Sequence, residues 1–289
     1  MLVADKWTDY ELIDCAGGEK IEKWNGYLLR RPDPQVIWDV KSDKNIWEKV
    51  DARYHRSKSG GGSWEYYKEI PESWKIKYKD FTFNVKPTGF KHTGIFPEQA
   101  VNWDFIYDKI KNENREIKVL NLFAYTGGAT VAAAAAGAGV VHVDASKGMV
   151  LWAKENAALS GLKDAHIRYI VDDVIKFVDR EIRRGNKYDC IIMDPPTYGR
   201  GPGGELWKFE NEFYPLIEKC MKLLSENPLF VIVNSYTSGV SSTVVANVLN
   251  LTMARNFGGY VTNDEIGLPI KSSNLVLPCG CATRWIAKK

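Results

Sequence analysis

The sequence predicts an α/β protein: a Rossmann-like, doubly wound, mainly parallel seven-stranded sheet, with a small β-rich domain at its amino terminus. Three observations predict it. After residue 90, short β-branched runs alternate with longer amphipathic ones, as strands do when helices carry the chain back for a parallel partner. Before residue 85, alternating polar and apolar residues are cut every few positions by Gly or Pro, which reads as hairpins. Two of the later apolar runs end on an acid, Asp144 and Asp194, and in open α/β sheets ligands bind at the carboxyl ends of strands. The chain is therefore divided into 1–85 and 86–289.

In the first part, Tyr10–Ile13, Lys20–Trp24 and Tyr27–Arg30 read as strands, punctuated by Gly17-Gly18, Asn25-Gly26 and Pro32-Asp33-Pro34. Asn-Gly between two alternating runs is a strong hairpin signal, because both residues tolerate positive φ. Ser57–Ser63, with three consecutive glycines, reads as a flexible loop.

In the second part, Pro97–Lys111 reads as a helix, Lys118–Phe123 as the first strand and Ala124–Gly128 as a tight turn. Ala129–Ala138 is a helix carried by its alanine run and ended near Gly137 and Gly139. Val140–Asp144 is the next strand, followed by a helix over Lys147–Ser160 that stops at Gly161. His166–Val171 and Val174–Arg184 form the third strand and its helix. Tyr188–Met193 is a buried strand that must stop at Asp194-Pro195-Pro196, since two prolines remove two ladder donors. Phe209–Leu224 reads as a helix, Leu229–Asn234 as the fifth strand and Ser241–Phe257 as a helix. Tyr260–Leu268 and Arg284–Ala287 close the sheet. Cys279-Gly280-Cys281 reads as a bend leading into the last strand, without the second pair or neighbouring histidines a zinc site needs.

The strand, glycine turn, helix, strand and acid from 118 to 144 make a nucleoside-binding half of such a sheet. Gly127 and Gly128 let the backbone approach a ligand, and Asp144 is placed to accept from ribose hydroxyls. The G-x-G-x-x-G fingerprint is absent, which argues against a nicotinamide or flavin. Asp194 and the two proline carbonyls form a cluster of acceptors without nearby donors, and Tyr198 can lay its ring on a flat ligand. That combination suits a planar, amino-bearing group such as a nucleobase. The competing reading is a strand terminator followed by a core tyrosine.

The run Asn121-Leu122-Phe123-Ala124-Tyr125-Thr126-Gly127-Gly128 resembles motif I of the class I S-adenosylmethionine-dependent methyltransferases, in the branch that includes large-subunit ribosomal RNA methyltransferases. Lys91–Gln99 is similar to that branch's T-G-x-F-x-x-Q segment, and Asp194–Tyr198 resembles its D-P-P-[TK]-[FY] motif. The resemblance covers about residues 80–289 in order and spacing. It implies an S-adenosyl-L-methionine cofactor held by Phe123, Tyr125, Thr126, Gly127, Gly128, Asp144, Ala145, Ser146, Asn156, Asp172, Asp173, Val174 and Asp194. It places catalysis at Asp194, Pro195, Pro196 and Tyr198, and makes the last two strands an antiparallel hairpin at one edge. Asp173 is preferred for the adenine amino group, leaving Asp172 to start the helix. Ser146 either caps the helix after Asp144 or sits near the adenosine; Asn156 is either a cofactor position or an exposed helical Asn. Asn121 stands where most of the superfamily has an acid. Relatives that methylate a cytosine carbon carry a cysteine just after the fifth strand, where this chain reads Asn234-Ser235-Tyr236-Thr237-Ser238. Carbon-5 methylation needs a thiolate to add first, so a nitrogen acceptor is favoured.

A net charge of +3 neither requires nor excludes RNA. Between Lys44 and Lys91, eleven Lys and Arg stand against six Asp and Glu, interleaved with Trp47, Tyr54, Trp64, Tyr66, Tyr67 and Trp74. Such a mixture can grip phosphates and stack bases. It can equally be the aromatic core of a small β domain, and that reading is favoured for most of them. This half does not look like the RNA-binding module of many relatives. No apolar run approaches the roughly 18 residues of a membrane span, so no membrane partner is expected. Five scattered cysteines, and no basic start followed by an apolar core, point to a cytoplasmic protein with reduced thiols and no metal. The expected function is methyl transfer to a base of ribosomal RNA. The alternatives are a small molecule or protein side-chain amide as acceptor, or a catalytically silent cofactor- or RNA-binding scaffold. A homodimer is left open.

Overall fold

The computed structural model describes residues 1–57, 61–201, 203–236 and 239–288, and the chain divides into two units. The first comprises Met1–Val101 and Ile266–Cys279; the second comprises Asn102–Glu265 and Gly280–Lys289. The first thus runs beyond residue 85 and takes in a late segment of the chain.

In the first unit, β1 (Leu2–Val3) precedes β2 (Tyr10–Ala16), β3 (Glu19–Trp24), β4 (Tyr27–Pro32), a short α1 (Lys44–Glu48), β5 (Ala52–Arg56), β6 (Gly62–Tyr66), β7 (Trp74–Tyr78) and β8 (Phe81–Val85). Strands β2 to β6 form a five-stranded sheet in chain order, antiparallel except where β4 meets β5, and β7 and β8 pair as a hairpin. Asn25 and Gly26 take φ of 45° and 99°, the conformation the Asn-Gly hairpin requires. Trp24, Trp47, Tyr54 and Trp74 are buried, so the core reading holds for most of the aromatics, while Tyr66 and Tyr67 are exposed. Of the expected loop at 57–63, residues 58–60 lie outside the described residues.

Hydrophobic patterning gave no hint of the charge buried here. Glu22, fully buried, accepts from Arg31 Nε at 2.6 Å, Arg31 Nη2 at 2.8 Å and the Tyr10 hydroxyl at 2.8 Å. Burial alone would raise its pKa, but Arg31 and Lys20 beside it hold the carboxyl at about 2.

The second unit begins within α2 (Ala100–Lys111), which follows a 3-10 turn at Pro97–Gln99. Then come β9 (Lys118–Leu122), α3 (Gly128–Ala135), β10 (Gly139–Asp144), α4 (Lys147–Leu159), β11 (Ile167–Val171), α5 (Val174–Arg183) and β12 (Cys190–Met193). A small hairpin, β13 (Tyr198–Arg200) and β14 (Leu206–Lys208), precedes α6 (Phe209–Met221) and β15 (Phe230–Ser235). A helix follows as α7 (Ser242–Leu249), a π turn at Asn250–Ala254 and α8 (Arg255–Phe257), before β16 (Tyr260–Pro269) and β17 (Val276–Ile286).

The sheet order is β1-β16-β17-β15-β12-β9-β10-β11. Strands β11, β10, β9, β12 and β15 are parallel neighbours, and β17 runs antiparallel to β15. The sheet has eight strands rather than seven, because the two residues of β1 pair with Ile266 and Gly267. One face carries Leu120, Leu122, Ile191, Met193, Val231 and Val233 into a core shared with Phe177, Phe213, Ile217 and Val245. Burial on both sides explains why these strands read as continuous apolar runs.

One expectation is corrected and one element is new. Cys279-Gly280-Cys281 is not a bend but part of the eleven-residue β17. Gly280 has φ of 126°, and a side chain there would strike the Tyr236 ring at 2.7 Å, so the glycine keeps the strand continuous against that ring. The hairpin β13–β14 was not foreseen, because three-residue strands carry too little periodicity to read.

Candidate active site

The turn after β9 is built from unusual backbone. Phe123 and Tyr125 take φ of 53° and 51°, and Gly127 takes 83°. Left-handed backbone at bulky residues is costly and persists where neighbours over-determine it, typically at ligand sites. Three contacts fix it here: Ala124 N–H donates to the Val143 carbonyl (3.0 Å), Tyr125 N–H to Asp144 Oδ2 (2.9 Å) and Asn156 Nδ2 to the Thr126 carbonyl (2.9 Å). Asn156 is therefore not an exposed helical residue; it is fully buried and holds the turn from α4. A side chain on Gly127 would meet Ala153 at 2.9 Å, and one on Gly128 would meet the Trp103 ring at 2.6 Å. The glycines thus admit neighbouring parts of the domain itself.

Asp144 closes β10 half-buried. Its second oxygen accepts from Ser146 N–H at 2.8 Å, and Ala145 lies half-buried between the two. Burial raises its pKa while the Ser146 and Tyr125 N–H groups lower it. An ionised carboxylate offers about four acceptor positions, so two backbone donors leave capacity for more. Ser146 caps α4, accepting from Met149 N–H at 3.4 Å. Beneath the turn lies a polar thread that the sequence gave no reason to connect. Asn121 Nδ2 donates to Thr130 Oγ1 (3.0 Å), which lies 2.9 Å from His142 Nδ1. Burial lowers the His142 pKa to about 3, so the ring is neutral, and among the described residues its Nε2 has no partner.

At the end of β11 the two acids divide differently from expectation. Asp173, not Asp172, caps α5, accepting from Lys176 N–H at 2.9 Å, and the buried Val174 is the first helical residue. Asp172 accepts from Asp173 N–H at 2.9 Å and pairs with Arg180. Local cap geometry decides which of two adjacent acids starts a helix, and sequence spacing does not.

Asp194 follows β12, its N–H 3.4 Å from the Leu122 carbonyl of β9, so it stands at the same sheet edge as the glycine turn. The cluster of acceptors needs one correction: the Pro196 carbonyl accepts from Trp207 Nε1 at 2.6 Å. Trp207 also packs on Phe123 with ring centroids 4.9 Å apart, linking the Asp-Pro-Pro segment to the turn. Pro195 is buried and Pro196 exposed. Tyr198 is 53 % exposed, opposite Lys208 in the hairpin, which rules out the core-tyrosine reading.

A second correction concerns thiols. Cys190 is fully buried, and burial pushes its pKa well above the usual range. The antiparallel pairing of β17, however, puts Cys281 across from Ser235, so a partly exposed cysteine from elsewhere in the chain does flank the end of β15. Residues 237 and 238 of the segment after β15 lie outside the described residues. Among the described residues no cluster of His, Cys, Asp or Glu could hold a metal, and no helix is long and apolar enough to cross a membrane.

Residues 43–224, more than half of the chain, match the family described as S-adenosylmethionine-dependent methyltransferases. A crystal structure of an S-adenosylmethionine-dependent methyltransferase from Agrobacterium tumefaciens is similar over 99% of this chain and 93% of that one, with a TM-score of 0.95 and 36% identity. The ribosomal RNA large subunit methyltransferase K/L of Shewanella frigidimarina is 36% identical over 53% of this chain and 21% of its own length. That of Shewanella baltica is 33% identical over 65% of this chain and 25% of its own. The chain thus spans about a fifth to a quarter of the curated relatives it matches.

Proposed function

The chain belongs to the S-adenosylmethionine-dependent methyltransferases, and we propose that it methylates a base of ribosomal RNA in the cytoplasm, at a nitrogen. The cofactor is S-adenosylmethionine, which supplies a methyl group already activated on a sulfonium. The residues fit it: an over-determined left-handed turn stands beside Asp144, whose remaining acceptor positions suit ribose hydroxyls. Phe123, Tyr125, Thr126, Gly127 and Gly128 would line its methionine side, and Ala145, Ser146, Asn156, Asp172, Asp173 and Val174 its adenosine side.

The observation that carries the acceptor is Asp194-Pro195-Pro196 at the edge of β12, tied to β9 and crossed by Trp207. The Pro196 carbonyl being taken by Trp207, the roles proposed are for Asp194 and the Pro195 carbonyl to orient an amino or ring N–H group and for Tyr198 to stack on the base. Transfer then requires an in-line approach at about 3 Å and exclusion of water. Ribosomal RNA is favoured because the K/L relatives carry that activity in their names.

The test is single-turnover transfer of labelled methyl to RNA from a strain lacking the gene. Asp194→Ala should lower transfer by about 10²–10³-fold, the cost of removing one pre-placed polar group that acts at the transition state. Affinity for S-adenosylhomocysteine, measured by calorimetry, should be kept. Full activity in that variant would remove Asp194 from the acceptor site. The placement of Cys281 favours a second reading, transfer to a cytosine carbon through a thiolate. Cys281→Ala should be fully active if the acceptor is a nitrogen, and inactive but folded if it is that carbon.

A further inference from the structure

Register places Asn234 beside Asp194. Strand β15 pairs with β12 so that Val233 lies opposite Met193, which makes Asn234 and Asp194 the next residues along two adjacent parallel strands. Asn234 is 4% exposed, and its Oδ1 accepts from Asn102 Nδ2 at 2.9 Å. The Asn102 amide is oriented in turn, since its Oδ1 accepts from Arg284 Nε at 3.1 Å and from Arg284 Nη2 at 2.6 Å.

Amide orientation is often ambiguous, because oxygen and nitrogen have the same shape. Here chemistry removes the ambiguity. A guanidinium has five donors and no acceptor, so the atom of Asn102 that faces Arg284 must be its oxygen. Asn102 then turns its NH₂ toward Asn234, and the atom of Asn234 that receives it must be oxygen. The remaining atom of Asn234 is therefore an NH₂ group, and among the described residues it donates no hydrogen bond. Arg284 is itself fixed over the Phe105 ring, 4.4 Å from its centroid. A donor of settled polarity, on a side chain that is otherwise buried, thus stands one strand away from Asp194.

We propose that Asn234 is a specificity-determining residue: its fixed N–H donor works beside the Asp194 acceptor to select a base edge carrying a donor next to an acceptor. The amidine edge of adenine or cytosine, an amino group beside a ring nitrogen, has that pattern. An edge presenting only acceptors does not. This rests on the acceptor reading of Asp194 above. A donor covered by the bound base and left without its acceptor opposes the wrong edge as it favours the right one.

Two isosteric variants test it. Asn234→Asp replaces the donor by an acceptor. Asn102→Asp leaves Asn234 in place, but an aspartate toward Arg284 can only accept, so Asn234 must rotate its NH₂ inward and present oxygen to the acceptor. With labelled methyl donor and RNA from the deletion strain, each variant should lower kcat/KM roughly 10- to 100-fold, the range for losing one good base-edge contact. Affinity for S-adenosylhomocysteine should stay within about twofold, and Asn102→Asp should melt no lower than the wild type, having gained an ion pair with Arg284. A merely structural role would leave transfer by Asn102→Asp intact, and wild-type transfer in either variant overturns the proposal. Offering the wild type the deletion strain's protein pool separates the two failures. Label in protein alone, or in neither pool, sinks the base reading itself and the role of Asn234 with it.

Discussion

In the first unit Glu22 is fully buried with its oxygens met by Arg31 and Tyr10 and with Lys20 3.6 Å away. In the second unit Asp144 is half-buried and, among the described residues, is met by two backbone N–H groups and paired with no cation. The first carboxyl is held far below its usual pKa and the second is raised above it. A buried acid surrounded by fixed cations is part of the framework, since its lone pairs and its charge are already answered. An acid held in place by backbone donors, with burial still penalising its charge, gains from further donors, and ribose hydroxyls are such donors.

Removing the framework acid should have the largest effect. Glu22→Ala leaves Arg31 buried without its carboxylate and Lys20 with Asp33 alone, and should destabilise the protein by about 3–5 kcal/mol in urea unfolding. A loss below about 1 kcal/mol would show that the cluster is not structural. Asp144→Ala should cost less stability than Glu22→Ala, since it strands two backbone N–H groups and no buried cation pair, but should weaken binding of S-adenosylhomocysteine by about 1.5–3 kcal/mol, the value of a hydrogen bond to a charged group. If the same variant unfolded instead, Asp144 would belong with Glu22. Tyr198→Ala, on the exposed hairpin, should cost about 1–3 kcal/mol in acceptor binding, seen as a raised KM for RNA with little change in melting temperature.

The smallest effect sharpens the contrast within the first unit. Glu98 is buried and its pKa is raised to about 7, burial being the main cause, although Lys20 and Arg31 oppose it. Between about 4.5 and 7 the folded state then binds more protons than the unfolded one, so this contribution is present at low pH and is lost as pH rises through 7. Glu22 acts in the opposite sense. Its contribution is present above about 4.5 and is lost as pH falls toward 2. Stability curves from pH 4 to 8 should lose their decline toward neutral pH in Glu98→Gln, and an unchanged slope would assign that decline elsewhere.

The sequence by itself determined the alternation of strands and helices, the stop at Asp194-Pro195-Pro196, the Asn25-Gly26 hairpin and the acid at the end of β10. These follow from interactions within a few residues: side-chain period, missing proline donors, and the positive φ that Asn and Gly accept. Tertiary structure decided what each polar group meets. Nothing near Lys20–Trp24 announces that Glu22 is buried against Arg31, or that Cys281 returns to the end of β15. No local pattern shows that Trp207 takes a proline carbonyl, or that Arg284 fixes the amide of Asn234 through Asn102. Arg284 and Asn102 are 182 residues apart, and Asn102 and Asn234 are 132 apart. Hydrogen-bond partners at that range are set by strand register and helix packing, which a reading of local pattern does not contain.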